Sequence, residues 1–220
     1  MYYMVKVFNF DDNPTEFSAN TYVIGKIGLS CLIVDIGTTK DDVLDYIEKH
    51  YETVAGVLLT HAHFDHIRGL PKLLKRFKNV PVYLAKEDVP LLNDPYTNSS
   101  LTMSDEKISI NVNTVPIEDG EEVIVHNRFR FKVIKTPFHT QGSVCYLSED
   151  DNALFTGDTL FKESIGRTDL VVSDPKQIPS SLKKLSELSD YLVVYPGHGS
   201  ITRLGEEKEH NPYFIEALKH

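Results

Sequence analysis

Residues 54–70 read VAGVLLTHAHFDHIRGL, and the stretch changes character at Thr60. Up to Leu59 it is a short apolar run interrupted only by Gly56, the pattern of a strand buried on both faces. Directly after it stand His61, His63, Asp65 and His66, three imidazoles and a carboxylate within six residues. A buried strand that ends on ligand-type side chains sets them at the rim of a sheet, in a loop whose aim the sheet determines. An extended turn after the strand is expected to send positions 61 and 63 to one side and to place 65 and 66 facing the other.

The same arrangement recurs along the chain. FRFKVIKTPF runs into His139, NALFTG into Asp158 and YLVVYPG into His198. Four apolar strands thus deliver seven groups, five imidazoles and two carboxylates, just past their C-terminal ends. One zinc-type ion takes three or four nitrogen or oxygen ligands and keeps a position open for water, so seven donors suit two divalent ions that share a carboxylate. Asp158 is the natural bridge. Zinc is the first expectation, with iron and manganese as alternatives on the same donors. A purely structural metal site would be closed and usually rich in cysteine, whereas this set holds none. The remaining histidines, His50, His126, His210 and His220, sit outside such positions and read as ordinary surface residues.

Around these strands the pattern is mixed. MVKVFNF, NTYVIG and SCLIVDIG read as strands, 40–51 and 68–77 as amphipathic helices, and PVYLA as a strand followed by a short helix or turn at EDVPLLND. DPYTNSSLTMSDEKIS is polar and unpatterned, a loop of the length that often covers a site. Strands resume with EEVIV, FRFKVIKT, SVCYLS and NALFTG; a helix near 175–188, the strand YLVVYPG and a final helix over 204–218 follow. Strands in two batches, with helices before, between and after, predict an α/β fold of layered sheets covered by helices. With 220 residues and 41% hydrophobic content, one domain over 1–220 can hold one sizeable core.

The formal net charge of −9 disfavours nucleic acid as a partner, since phosphate backbones are bound through basic patches. No apolar run is long enough to span a bilayer and the N-terminus carries no basic segment before an apolar one, so no membrane association and a cytoplasmic location are expected. Cys31 and Cys145 both lie inside apolar runs and read as small buried hydrophobes rather than a disulfide.

HAHFDH, TPFHTQGS, FTGDTLF and YPGHGS, in that order, resemble the metallo-β-lactamase-fold hydrolases. The resemblance covers nearly the whole chain and implies an αββα sandwich with its site at one edge of two sheets. It implies that His61, His63 and His139 hold one metal, Asp65, His66 and His198 the other, and that Asp158 bridges. GDTLFKESIGRTDL and PGHGSITRLGEEKEHNPYF look like the glyoxalase II branch in its short, single-domain form. Aspartate at 158 and the added His66 depart from the dizinc β-lactamases, and Phe138 stands where the branch usually has glycine. The activity so implied is hydrolysis of small thioesters, such as a hydroxyacylglutathione, by a hydroxide bridging the two ions. Asp65 would orient that hydroxide and Arg167 would bind the substrate. A persulfide dioxygenase with one iron at His61, His139 and Asp158, or a lactonase, are the alternatives on the same fold.

Overall fold

The computed structural model describes residues 3–8 and 19–219. β1 (Met4–Phe8), β2 (Thr21–Gly25) and β3 (Ser30–Val34) form an antiparallel meander, with Gly28 at φ +79° turning the chain between β2 and β3. The expected first strand ran on to Asn9 and Phe10, which lie outside the described residues. α1 (Asp42–His50) then crosses to β4 (Thr53–Leu58), which pairs parallel with β3. After α2 (Phe64–Ile67) and α3 (Leu70–Arg76), β5 (Val82–Ala85) adds in parallel, and β6 (Val115–Ile117) follows beyond α4 (Ser100–Met103). The first sheet therefore runs β1-β2-β3-β4-β5-β6.

The second sheet is built from β7 (Glu122–Val125), β8 (Phe129–Lys135), β9 (Val144–Ser148) and β10 (Ala153–Gly157), each antiparallel to the one before. The crossover helix α5 (Ile178–Ser186) brings β11 (Val193–Pro196) parallel to β10, and the two-residue β12 (Thr202–Arg203) closes the order β12-β11-β10-β9-β8-β7. α6 (Leu204–His210) and α7 (Pro212–Ala217) end the described chain.

Side-chain alternation assigns the layers. In β3, Cys31 and Ile33 pack with Val43, Leu44 and Ile47 of α1 and Leu70 and Leu73 of α3, while Leu32 and Val34 face the opposite way. There they meet Phe129, Phe131 and Val133 of β8 and Phe155 of β10 between the sheets. On the far side of the second sheet Leu154 and Val194 pack with Leu182 and Leu185 of α5, Leu204 and Phe214. Helices, sheet, sheet, helices is the αββα order. Each large apolar side chain buried in it contributes about 1.5–3 kcal/mol relative to exposure, and edge-on ring contacts such as Tyr22 with Phe155 (5.3 Å, 70°) add to the middle layer.

Three expectations are corrected. The last helix is two: Asn211 accepts the N–H groups of Tyr213 (3.1 Å) and Phe214 (3.3 Å), and Pro212 occupies the first turn, so a new helix starts there. The long polar loop contains α4. β6 was not expected because it is short, half exposed and carries Pro116, all features of an edge strand. Among the described residues no helix is long and apolar enough to cross a membrane.

Candidate metal centre

Beyond β4 the chain stays extended through His63 (φ −69°, ψ 150°) and turns helical at Phe64. Asp65 and His66 therefore project from the first turn of α2, not from the extended turn that was expected to carry all four ligands. Gly157, at φ +48°, closes β10 just before Asp158, and a Cβ there would lie 2.4 Å from the Thr60 hydroxyl. The strand ends of both sheets come that close because this residue has no side chain.

The structure brings all seven expected residues together. One ligand atom from each of His61, His63 and His139 lies within 4.8 Å of the others, as do those of His61, His66 and Asp158, and of Asp65, His66 and His198. Asp158 sits at the centre, with Oδ1 3.2 Å from His66 Nε2 and Oδ2 3.3 Å from His139 Nε2 and 3.7 Å from His198 Nε2. His198 Nε2 is 3.0 Å from Asp65 Oδ2. The Nε2 atoms of His61, His63 and His66 and Oδ1 of Asp158 are buried with no hydrogen-bond partner among the described residues; the 3.2 Å approach of His66 to Asp158 is close but misdirected. His63 turns Nδ1 inward, 2.8 Å from His139 Nε2, so three of these buried atoms, His61 Nε2, His66 Nε2 and Asp158 Oδ1, converge without partners as a donor set for a cation.

The hydrogen bonds on the outer ring nitrogens fix which atom faces inward. The Thr60 hydroxyl donates to Asp35 Oδ2 (2.7 Å), so His61 Nδ1 must donate to that hydroxyl (3.1 Å), leaving Nε2 for the centre. His66 Nδ1 donates to Asp35 Oδ2 (2.8 Å) and His139 Nδ1 to the carbonyl of Arg167 (2.8 Å), with the same result. Asp35 also accepts the Thr60 N–H at 2.8 Å. This buried carboxylate was not singled out in the sequence, although it ends an apolar strand as the ligands do. Asp88 is a second: fully buried, it accepts from Ala62 N–H (3.0 Å), Gly142 N–H (2.7 Å) and the Thr140 hydroxyl (2.8 Å).

The charges explain the shifts. Burial pushes His63 down to about 3, helped by neighbouring His139, and burial likewise lowers His61 well below the ordinary imidazole range. For Asp65 burial raises the pKa, but the positive His66 and His198 outweigh it and bring the carboxyl to about 2. Burial opposes protonation of His198 too, yet Asp158 and Asp65 hold its proton up to about 8; His66 is raised by Asp158, Asp35 and Asp65 against the same burial. Protons on these two rings stand where metal charge would neutralise the carboxylates.

A cavity of about 330 Å³ opens on the cluster. Phe64, Met103, Phe161, Ile165 and Leu170 supply its apolar wall, and Ser99 and Met103 show that the α4 segment covers it. Arg167 lines it as well, but its guanidinium grips Asp169 through two bonds of 2.7 and 2.8 Å, with the side chain 49% exposed. Phe138 is buried in the core beneath the second sheet and does not line the cavity. A larger groove of about 490 Å³ near Lys162, Arg203 and His210 lies away from the seven ligands. His126 and His210 are exposed, His50 packs on Tyr46 (4.5 Å), and His220 lies outside the described residues. Cys31 and Cys145 are free and buried, and burial raises their thiols to about 12 and 11.

The family model described as the metallo-beta-lactamase superfamily matches residues 14–198. A probable metallo-hydrolase of Streptococcus pyogenes is 33% identical over 89% of this chain and 85% of its own length. The hydroxyacylglutathione hydrolase GloC of Haemophilus influenzae is 29% identical over 90% and 94%. Among solved structures, the B3 metallo-beta-lactamase BLEG-1 superposes with a TM-score of 0.85 and 32% identity over 96% of this chain and 99% of its own. TTHA1623 in a di-iron-bound form gives 0.76 and 30% over 96% and 99%.

Proposed function

The chain belongs to the metallo-beta-lactamase superfamily, and from that premise we propose that it is a hydrolase of small thioesters working with two divalent ions, zinc first among them. The observation that carries the thioester reading is what the cavity lacks. Among the described residues, the polar side chains that line it apart from the cluster are Ser99, Ser164 and Arg167, none of which is a general acid near neutral pH. A leaving group must depart without a proton from such a wall, which a thiolate does readily and an amide nitrogen does not. The likeness to a hydroxyacylglutathione hydrolase points the same way.

Bound divalent ions supply a nucleophile near neutral pH, by acidifying water, and polarise the carbonyl. The chain's residues do the rest. His61, His63 and His139 would hold one ion, Asp65, His66 and His198 the other, with Asp158 between them. Asp65, kept ionised by His66 and His198, is an acceptor that aligns the attacking water. Phe64, Phe161 and the α4 segment keep bulk water off the acyl group. Arg167 can reach a substrate carboxylate by sharing its fork with Asp169. Cytoplasmic location belongs to the same reading, supported by two free, buried thiols.

A one-iron oxygenase at His61, His139 and Asp158 would leave four further donors of the cluster without a role, and a lactonase would use the same centre on an oxygen ester. Two measurements decide. Elemental analysis is expected to give about two metal ions per chain; a single tightly held iron and no second metal would favour the oxygenase. S-Lactoylglutathione is expected to turn over faster than a penicillin or a lactone, and comparable or faster turnover of either would overturn the thioesterase reading.

A further inference from the structure

Asp88 follows β5 and is not one of the seven ligand residues, yet it is tied to both segments that present the first ligand set. One oxygen accepts the N–H of Ala62, the residue between His61 and His63, and also the hydroxyl of Thr140, the residue after His139. The other accepts the N–H of Gly142, whose missing side chain makes room: a Cβ there would lie 2.5 Å from Asp88 Oδ1. The carboxylate is fully buried, and among the described residues no Lys or Arg forms an ion pair with it; Lys135 pairs with the neighbouring Glu87. A buried carboxylate held only by neutral donors is a costly way to gain stability, since apolar packing would serve as well. What it does uniquely is accept three donors at once from two loops. An asparagine would offer one acceptor oxygen and turn an NH₂ group towards an N–H or a hydroxyl.

We propose that Asp88 is a positioning residue that sets His61 and His63 in register with His139, so that these three imidazoles form one metal-binding set across the gap between the two sheets. His61 and His63 come from the first sheet and His139 from the second, and the link that Asp88 makes through Ala62, Thr140 and Gly142 spans that boundary beside the ligands. Among the described residues Asp88 makes no hydrogen bond to Asp65, His66 or His198; His66 is held directly by Asp35, which reaches the first set only through Thr60. The two sets therefore differ in what would loosen them.

Zinc binding to metal-free protein, followed by competition with a chromophoric chelator, tests this without any substrate. Asp88→Asn is expected to weaken one of two zinc sites by about 10- to 100-fold, the loss typical when the partner that orients a ligand is removed, and to leave the other within about twofold. In a His198→Ala background, where the second set is crippled, the remaining site should show the whole loss. Thr140→Val, which removes one of the three donors, should weaken the same site by a smaller factor, and Thr140→Ser should restore it. Thermal denaturation of the metal-free proteins separates positioning from bulk stability. Unchanged zinc affinities with a lowered melting temperature would overturn the proposal, as would an equal loss at both sites. Should Asp88→Asn fail to fold, the Thr140 pair decides by the same readings.

Discussion

The two proposed ligand sets, with Asp158 between them, are built differently. His61, His63 and His139 are at most 3% exposed; Asp88 ties the neighbouring Ala62, Thr140 and Gly142, Thr60 holds the His61 ring, the carbonyl of Arg167 holds the His139 ring, and His63 leans on His139. In the other set His66 is as deeply buried and held by Asp35, while His198 leaves 27% of its side chain exposed beside the cavity. The first set is preorganised on every side; the second has a solvent-facing wall. The cavity touches His63, Asp65, His139, Asp158 and His198, and among these His198 is the most exposed, so its protonation follows the solvent most closely.

The largest effect is expected where both sets meet. Asp158→Ala removes a ligand from each, so metal content and kcat should fall together, kcat by a factor on the order of 100 or more. Full metal content with a modest loss of kcat would mean that the sets do not share this carboxylate. Asp35→Asn strikes the second set directly: His66 loses its charged acceptor, and zinc affinity at that set should drop by about 10- to 100-fold, with a smaller loss at the His61, His63 and His139 site, which Asp35 reaches only through Thr60. Equal losses at both would erase the distinction, since Asp35 also receives Thr60.

A pH series sharpens the contrast further. In metal-free protein the His198 pKa of about 8 lies above the ordinary value for histidine. A raised folded-state pKa stabilises the fold fully below the unfolded value of about 6.5, and that contribution, at most about 2 kcal/mol, is lost between pH 6.5 and 8. Thermal denaturation should show wild type losing stability over that window relative to His198→Ala, with zinc affinity rising over the same window as the competing proton leaves. Parallel pH profiles for the two proteins would remove His198 from this role. Smallest of all, Arg167→Ala should leave metal content and kcat intact and raise KM for S-lactoylglutathione a few-fold, because an exposed guanidinium already paired with Asp169 has little left to give. Unchanged kinetics would return Arg167 to the surface and leave its backbone carbonyl, on His139, as its part in the centre.

The strands that carry ligands were legible because a buried strand must be apolar and must end where polar groups can be satisfied. VAGVLL, FRFKVIKT, NALFTG and YLVVYPG announce both their burial and their ends. Asp35 and Asp88 also follow apolar strands, but a single carboxylate after a strand is common, and nothing local says that three donors converge on it. The break at Asn211–Pro212 was written in a capping residue and a proline, yet helical periodicity on either side masked it. The α4 segment lacked periodicity altogether, since a single helical turn is too short to show any.

By itself the sequence determined that four buried strands end in metal-type donors and that two batches of strands are layered with helices, because burial and periodicity are properties of a few consecutive residues. How closely the donors cluster, which nitrogen of most rings turns inward, and that Arg167 meets Asp169 while its carbonyl serves His139 were decided only in the tertiary structure. Those choices depend mostly on contacts between separate segments, 28 residues apart for His139 and Arg167, 31 for His66 and Asp35, and 76 for His63 and His139. No local pattern encodes which loops the closing of two sheets will bring within a hydrogen bond of each other.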